Sequence, residues 1–448
     1  MNSENRNAAI RTFQHPARLL PLAFLLAILL GTALLMLPAA RPGPEGASLL
    51  AAAFTATSAV TVTGLAVQDT GTYWSGFGQA VIVALSQLGG LGIMSGATLL
   101  GMLVTRRLSL STRLLAQAEI RVLALGDVLA VLRLILLMAL CVEAATALVL
   151  ALRLHLGHGL GWAEALWSGT FHAVGAFNNA GFSLYPDGLT RFAADPLVLL
   201  PLMLAVTVGG LGFPVVAELL RAPSRLSLHS RLTLLGTAGL LLLGTLGVLA
   251  FEWNNPGTLG RLEAIPRLLG AAFHTVMTRS GGFNAVDTGQ MTPGSLVLSY
   301  LLMLIGGGSA GTAGGIRVTT FLVLGLIVWA EVRGDPDVTA FGRRIPVDLQ
   351  RQALTVATLA ATTVALATLA LLAMTDQPAD VLLFEVISAF ATVGLSTGIT
   401  GTLPPAAQVL LMLLMFVGRV GTVTIVTALA LRGARRLYRY PEERPIVG

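Results

Sequence analysis

The sequence predicts an all-α integral membrane protein built from four tandem helix–pore-loop–helix repeats, with eight transmembrane helices and four re-entrant pore helices around a pseudo-fourfold central pore. Three observations lead to this fold class: the composition, a short pattern that occurs four times, and the placement of arginine. Of the 448 residues, 55% are hydrophobic and 11% are charged, whereas soluble domains carry about 25% charged residues. Nearly uncharged stretches of about 18 residues or more, enough for a helix to cross a bilayer, flank every copy of the pattern.

The repeated pattern begins with a phenylalanine and ends, nine or ten residues later, with a glycine followed by a large apolar residue. The glycines are 117, 101 and 112 residues apart, and another glycine cluster follows each of them after 24 to 28 residues. Four similar units in one chain favour an arrangement around a common axis, where a pore can form. The four copies are Phe54…Gly64-Leu65, Phe171…Gly181-Phe182, Phe273…Gly282-Phe283 and Phe384…Gly394-Leu395.

The repeats are expected at residues 17–104, 122–221, 231–333 and 350–432, followed by a cytoplasmic tail at 433–448. Each begins and ends with a long apolar helix. The segment before each pattern glycine offers only about eleven residues, or roughly 16 Å of helix, which is too short to cross a bilayer. These re-entrant segments are 48–58, 164–175, 267–277 and 380–390.

The stretch that ends each pattern should lie inside the protein, because non-helical backbone at membrane depth must be buried or must line a watery path. Glycine permits unusual dihedral angles, and carbonyl oxygens can replace the water around a cation. A lone glycine of this kind is more often a kink or a packing contact, but four in register favour an ion filter. The expected ion-binding residues are Val62, Thr63, Gly64, Asn179, Ala180, Gly181, Ser280, Gly281, Gly282, Thr392, Val393 and Gly394.

All 28 basic residues are arginine, and most of them lie in alternate loops and near the two ends of the chain. By the positive-inside rule these loops and both termini are cytoplasmic. Such alternation disfavours a nucleic-acid surface. The single cysteine, Cys141, lies in an apolar stretch, so neither a disulfide framework nor a thiolate metal site is expected.

The second long segment of the third repeat contains six glycines in ten residues at 306–315. Each glycine costs a helix about 1 kcal/mol relative to alanine, so we expect a broken helix with a loop inside the membrane. Close helix packing through small residues is the alternative. The residues concerned are Gly306, Gly307, Gly308, Ser309, Gly311, Thr312, Gly314 and Gly315.

Two further groups of charged residues have two interpretations each. Arg419 interrupts the last apolar segment, and it faces either the pore or a buried carboxylate such as Glu218 or Glu385. Asp69, Asp187 and Asp287 follow the first three filter glycines by five or six residues. They form either a ring of carboxylates at the outer mouth, which would concentrate cations, or ordinary turns.

His172 and His274 occupy matching positions in two repeats only, which favours packing over metal binding. The chain is not expected to be an enzyme. Asp-Thr-Gly occurs twice, as in aspartic proteases, but in loops between spans. A secondary cation symporter is the stronger alternative, although such transporters typically have inverted twofold repeats.

The four stretches Thr-Val-Thr-Gly-Leu, Phe-Asn-Asn-Ala-Gly-Phe, Thr-Arg-Ser-Gly-Gly-Phe-Asn and Ala-Thr-Val-Gly-Leu-Ser resemble the signatures of the Trk/Ktr/HKT superfamily of cation transporters. The resemblance covers essentially the whole chain and is closest to the KtrB type of membrane subunit. It implies uptake of K⁺ across the bacterial inner membrane, with K⁺ bound only at the filter. Potassium is the implied substrate because Gly64 stands where sodium-preferring relatives have serine. Ser280 replaces a common threonine, which we expect to matter little.

The resemblance also implies how the pore is controlled. The loop at 306–315 matches an intramembrane gate, and Arg419 matches an arginine that assists it; Arg279 is expected to anchor the pore loop. A homodimer of pore subunits, surrounded by membrane lipid, and a separate KtrA-like cytoplasmic ring that binds ATP and ADP are implied, with no covalently bound cofactor. The sequence leaves open whether Na⁺ stimulates transport, and a sodium-permeable member of the same superfamily is kept as an alternative.

Overall fold

The computed structural model describes residues 16–43, 46–106, 128–221 and 223–421. The expected tail at 433–448, the start of the second repeat and the end of the fourth lie outside the described residues. The helices are α1 (Pro16–Leu35), α2 (Leu49–Val60), α3 (Thr70–Tyr73), α4 (Gly76–Arg106), α5 (Val128–His158), α6 (Trp162–Asn178), α7 (Pro196–Leu211), α8 (Phe213–Arg221), α9 (Leu228–Glu252), α10 (Ala264–Thr278), α11 (Pro293–Leu304), α12 (Val318–Arg333), α13 (Val347–Met374), α14 (Ala379–Phe390) and α15 (Pro405–Phe416).

The fold is mostly helical, and its one sheet among the described residues is a hairpin of β1 (Thr339–Ala340) and β2 (Arg343–Arg344). Four described helices are long and apolar enough to cross a membrane: Gly76–Gly96, Val131–His158, Leu228–Glu252 and Val347–Met374. The bent pair α7 and α8 adds a fifth candidate. Large leucine side chains are exposed along these helices, as a lipid-facing surface requires. Because the described residues provide four or five candidate spans, the expected eight spans stay a prediction.

Four short helices, α2, α6, α10 and α14, follow the long helices α1, α5, α9 and α13 in the chain. The later turns of these helices are mostly buried, and the buried side chains include the phenylalanine that opens each copy of the sequence pattern. Each short helix ends at a pattern stretch because the next residues leave helical dihedral angles. At the start of α2, the Ser48 side chain accepts a hydrogen bond from the Ala51 N–H and so caps the helix.

The second long helices of the repeats are broken more often than the sequence predicts. The expected break is present: α11 ends at Leu304, and α12 begins only at Val318. A second break bends α7 against α8 by 100° at Gly212, where φ is +90°. A Cβ at Gly212 would lie 2.5 Å from the Ser309 carbonyl oxygen, so this bend makes room for the loop of the third repeat. The last helix, α15, turns into a π-helix at Val417–Gly421.

The downstream glycine clusters have a steric cause in three of the repeats. A Cβ added to Gly89, Gly209 or Gly418 would overlap the carbonyl oxygen of Val60, Phe177 or Phe390, respectively. These three carbonyls belong to the last turn of the preceding short helices. Glycine therefore lets each second long helix pack directly against the end of its short helix, where any side chain would separate them.

This packing predicts opposite effects for two Gly→Ala changes in helices. Gly89→Ala should lower the Tm by about 5 °C or more, because the methyl group has backbone rather than a flexible side chain to displace. Gly325→Ala in α12 is the matched control, since a Cβ there meets nothing within 4 Å. It should leave the Tm unchanged or raise it slightly through helix propensity. Thermal unfolding in detergent measures both, and equal Tm values for the two variants would contradict the proposed packing.

Candidate ion-binding site

The four stretches at 61–64, 178–181, 279–282 and 391–394, here called the glycine segments, meet in a closed ring. A Cβ placed on Gly64 would overlap Gly181, one on Gly181 would overlap Gly282, and one on Gly282 would overlap Val393. The ring closes because a Cβ on Gly394 would overlap Thr63. The four segments, which are about a hundred residues apart in the chain, therefore approach each other backbone to backbone, and only glycine leaves the space for it.

Each glycine segment also has the same unusual turn at its second residue. There φ is positive in a residue other than glycine: 56° at Val62, 61° at Asn179, 84° at Ser280 and 48° at Thr392. Positive φ is rare for side chains of this kind and costs of order 1–3 kcal/mol, so the surrounding structure must impose it. Three of the pattern glycines, at 64, 282 and 394, have positive φ as well, and Gly181 is the exception.

The backbone N–H groups of the glycine segments point back to the short helices. The N–H of Thr63 donates to the Ser58 carbonyl at 2.8 Å, and the equivalent bonds in the other repeats run from Ala180 to Gly175, Gly282 to Met277 and Val393 to Ser388, at 2.7 to 3.1 Å. Within the described residues, the one carbonyl of the proposed ion-binding residues that accepts a hydrogen bond is that of Thr392, from the Ser280 hydroxyl at 2.9 Å. Ten of these twelve residues donate their backbone N–H to the short helices, whereas eleven of the twelve carbonyl oxygens accept no hydrogen bond from the described residues, which suits a cation.

Two serines that the sequence analysis did not single out hold the ring in place. The Ser58 hydroxyl accepts a hydrogen bond from the Gly64 N–H at 3.0 Å, and the Ser388 hydroxyl accepts one from Gly394 at 3.1 Å. Both stand six residues before a pattern glycine. This shared spacing was a usable sequence signal. It was missed because the other two repeats have Gly175 and Val276, rather than serine, at the same position.

The glycine-rich loop at 306–315 lies against three of the four glycine segments. The Thr312 hydroxyl donates to the Phe177 carbonyl at 3.1 Å and lies 3.2 Å from the Asn179 amide. The Gly314 N–H donates to the Ser280 hydroxyl at 2.9 Å, and a Cβ at Gly314 would overlap the Thr392 hydroxyl. The loop is thus in direct contact with the ring, and its glycines allow that approach.

Two arginines donate hydrogen bonds to carbonyls of this loop. Arg279 donates to the Gly306 carbonyl at 2.8 Å and to the Thr237 carbonyl of α9 at 3.3 Å, so it joins the glycine-rich loop to α9. Arg317, which the sequence analysis missed, donates to the carbonyls of Gly308 at 3.2 Å and Ala313 at 2.5 Å. The sequence feature that could have identified it is its position directly after the glycine-rich stretch, where it becomes the N-cap residue of α12.

Arg419 is 1% exposed, and its three side-chain nitrogens have no hydrogen-bond partner among the described residues. Its charge and that of Arg317 repel each other. The carboxylates proposed as its partners bond elsewhere: Glu385 accepts from the Ser396 hydroxyl at 2.6 Å, and Glu218 accepts from Ser227 at 3.0 Å. The structure therefore forms neither of these two ion pairs, and among the described residues no carboxylate neutralises the charge of Arg419.

The three expected outer acids all make the hydrogen bonds of caps and turns. Asp69 accepts from the Thr72 N–H at 2.8 Å, and Asp287 accepts from the Gly289 N–H at 3.0 Å. Asp187 pairs with Arg191 at 2.7 Å, and this hydrogen bond lowers the pKa of the Asp187 carboxyl. The turn interpretation accounts for these contacts, and a further role at a pore mouth stays a prediction.

The two matching histidines are hydrogen-bonded inside the fold. His172 Nδ1 lies 2.8 Å from the Ser168 carbonyl oxygen, and its ring stacks on Tyr185. His274 Nε2 lies 3.0 Å from the Ser299 hydroxyl. In the part of the chain that the structure describes, no group of three or more histidine, cysteine or acidic residues is placed to hold a metal ion.

The fold and the ring define a helical membrane protein in which four homologous backbone segments converge on one site. The chain matches the family model of the cation transport proteins, TrkH, over residues 29–434, and it belongs to this family. The Ktr system potassium uptake protein B of Bacillus subtilis is 40% identical to it, with 97% of each chain covered. The potassium/sodium uptake protein NtpJ of Enterococcus hirae is 34% identical, with 98% of each chain covered.

The fold is also similar to that of a solved structure, the potassium transporter TrkH from Vibrio parahaemolyticus. The TM-score is 0.68 at 18% identity, and the match covers 92% of this chain and 84% of the other. The resemblance stated from the glycine stretches, to the Trk/Ktr superfamily and closest to its KtrB branch, is confirmed. The relatives named here are transporters, in agreement with the expectation that the chain is not an enzyme.

The serine contacts predict that Ser58→Ala destabilises the protein. Removing the hydroxyl leaves the buried Gly64 N–H without an acceptor, which costs about 1–3 kcal/mol. Thr32→Val is the control, because the buried Thr32 hydroxyl donates only to the Ile28 carbonyl of its own helix. Thermal unfolding should show a lower Tm for Ser58→Ala than for Thr32→Val. A Tm loss of the same size in both variants would show that Ser58 has no special part in holding the ring.

Proposed function

We propose that this protein takes up potassium across the plasma membrane through a filter formed by the four glycine segments. The observation that carries the proposal is the closed ring in which N–H groups bond to the short helices while the carbonyl oxygens are left for a ligand. Carbonyl oxygens on an imposed backbone replace the hydration shell of K⁺. The relatives named for potassium uptake match nearly the full length of this chain, which supports the same substrate.

The glycine-rich loop is the proposed gate. It contacts the glycine segments from the side of the broken third-repeat helix, and the carbonyl bonds from Arg279 and Arg317 hold it there. The charge of Arg419, which has no hydrogen-bond partner among the described residues, would repel a cation that leaves the filter on this side. Opening then requires the loop to break the hydrogen bonds from Thr312 to the Phe177 carbonyl and from Gly314 to the Ser280 hydroxyl. Each such bond contributes about 0.5–1.5 kcal/mol.

The orientation and the partners belong to the same proposal. By the positive-inside rule, the arginine-rich loops support an orientation with both termini in the cytoplasm of a bacterial cell. Relatives named as protein B of a Ktr system support a multi-subunit assembly, in which a cytoplasmic ring subunit that binds ATP and ADP controls a dimer of pore subunits. Asp69, Asp187 and Asp287 would lie at the outer mouth and raise the local cation concentration.

Sodium is the second candidate substrate, and one observation favours testing it. The Enterococcus hirae relative is named as a potassium/sodium uptake protein. Coupled symport moves Na⁺ and K⁺ in a fixed ratio, simple sodium permeation moves Na⁺ without such a ratio, and activation by Na⁺ raises K⁺ uptake without Na⁺ entry. Uptake of ²²Na⁺ and ⁸⁶Rb⁺ into the same vesicles separates the three possibilities.

The proposed function is tested by growth of a potassium-uptake-deficient bacterium at limiting K⁺, with and without a cytoplasmic ring subunit. We expect rescue and rubidium uptake, both stronger with the partner. A well-expressed protein that restores neither growth nor rubidium uptake would rule the function out.

The ring geometry predicts that Gly64→Ser lowers the preference for K⁺ over Na⁺. Serine at this position is strained at a φ of +89°, and its Cβ overlaps the Gly181 backbone, so the ring must widen or shift. Gly398→Ser is a matched control, because Gly398 has a φ of +97° but nothing within 4 Å of an added Cβ. Competition of Na⁺ against ⁸⁶Rb⁺ uptake should change at least about tenfold for Gly64→Ser, the ratio that corresponds to 1.4 kcal/mol. Equal competition in the two variants would remove Gly64 from the filter.

The gate proposal predicts that Arg317→Gln and Arg419→Ala raise the basal flux without the partner subunit. The first change weakens the hold on the loop, and the second removes the repelling charge; shortening 306–315 should act in the same direction. Arg351→Gln, an exposed arginine of α13, is the control for loss of one charge and should leave the flux unchanged. Stopped-flow measurement of Tl⁺ entry into liposomes reports the rate. A closed state unaltered in all three variants would refute the gate.

A further inference from the structure

A buried carboxylate inside the membrane-spanning part of the fold is not used by the proposed filter or gate. Glu143 lies in the middle of α5 and is 6% exposed. Among the described residues it has no cationic partner within ion-pair distance. Acidic side chains in spans are expensive and rarely kept without a purpose. Its hydrogen bonds indicate what that purpose is.

The partners of Glu143 are two amide side chains. Asn178 Nδ2 donates to Glu143 Oε1 at 3.1 Å and to Gln87 Oε1 at 2.6 Å, and Gln87 Nε2 donates to Glu143 Oε2 at 3.2 Å. The triangle joins α4, α5 and the end of α6. A Cβ on Gly90 would overlap the Asn178 side chain, so the glycine of the downstream cluster leaves the room that the triangle needs.

Asn178 opens the second glycine segment, and the next residue, Asn179, has the imposed φ of 61°. The Asn179 amide in turn lies 3.2 Å from Thr312 of the glycine-rich loop. A continuous set of contacts therefore runs from Glu143 through the second glycine segment to the loop. At the matching position of the third segment, Arg279 reaches α9 and the loop in a similar way. In both repeats the side chain that opens the segment fastens it to surrounding structure.

We infer that Glu143 is a positioning residue for the second glycine segment: with Gln87 it fixes the Asn178 side chain and thereby the carbonyls of Asn179 to Gly181. The carboxylate suits this task because Asn178 and Gln87 donate to its two separate oxygens, whereas an amide of the same size has only one acceptor oxygen and would turn an N–H donor toward one of these partners. This inference rests on the proposed filter.

Glu143→Gln tests it, because the substituted amide turns one donor group toward Asn178 or Gln87 while keeping the size of the side chain. The KM for ⁸⁶Rb⁺ uptake should rise about tenfold, the size expected for a lost hydrogen bond to a charged group, and Na⁺ should compete better, with Vmax changed by less than about twofold. Glu252→Gln is the matched control: Glu252 is also buried, but it bonds to Thr292 and Asn255 near the end of α9. That variant should lower the Tm and keep the KM.

A double variant tests whether Glu143 acts through Asn178. In an Asn178→Ala background, Glu143→Gln should add no further rise in KM, since the contact is already gone. If Asn178→Ala does not fold, Gln87→Leu replaces it, and it should raise the KM in the same direction but by less. The inference is overturned if Glu143→Gln changes only the Tm, as the control does, or if its full effect persists without Asn178. A wild-type protein without rubidium uptake would instead contradict the proposed function.

Discussion

The structure depends on the mutual approach of four backbones at one ring. No side chain fits where Gly64, Gly181, Gly282 and Gly394 meet the neighbouring segments. This constraint determines the rest of each repeat. A short helix must deliver the segment, and its last carbonyls must take up the segment's N–H groups. In three of the repeats a glycine downstream must also let the second long helix pack on the end of the short helix. The strained φ values at the second residue of each segment follow from the same requirement.

The four repeats share this geometry but differ in what surrounds it. Hydroxyl groups of Ser58 and Ser388 support the segments of repeats one and four, whereas Asn178 and Arg279 fasten those of repeats two and three to neighbouring elements. The glycine-rich loop lies beside the two fastened segments and the fourth one, and α7 bends at Gly212 to accommodate it. In the proposed function, the common geometry selects the ion, and the differences between repeats control the path.

Much of the fold and the ring was predictable from the sequence, because both rest on patterns that repeat along the chain. The phenylalanine-to-glycine spacing located the short helices and the glycine segments, and the glycine-rich stretch correctly predicted a broken helix. The bend at Gly212 was not predictable, since Gly209 to Gly212 resembles the cluster in the unbroken α4 and the bend depends on contact with Ser309. Ser58, Arg317 and Glu143 were missed for a similar reason: their roles come from partners that are distant in sequence or present in only some repeats. Ser280 was expected to matter through its backbone alone, yet its hydroxyl bonds to both Thr392 and Gly314.

The central claim is that the free carbonyl oxygens of the glycine segments bind the transported ion. The most direct test is the anomalous diffraction of Rb⁺ in crystals grown with Rb⁺ in place of K⁺. The account predicts anomalous peaks on the axis of the ring, within coordination distance of carbonyl oxygens from all four segments, and loss of those peaks in Gly64→Ser. Strong Rb⁺ peaks elsewhere in the protein, with none inside the ring, would contradict it.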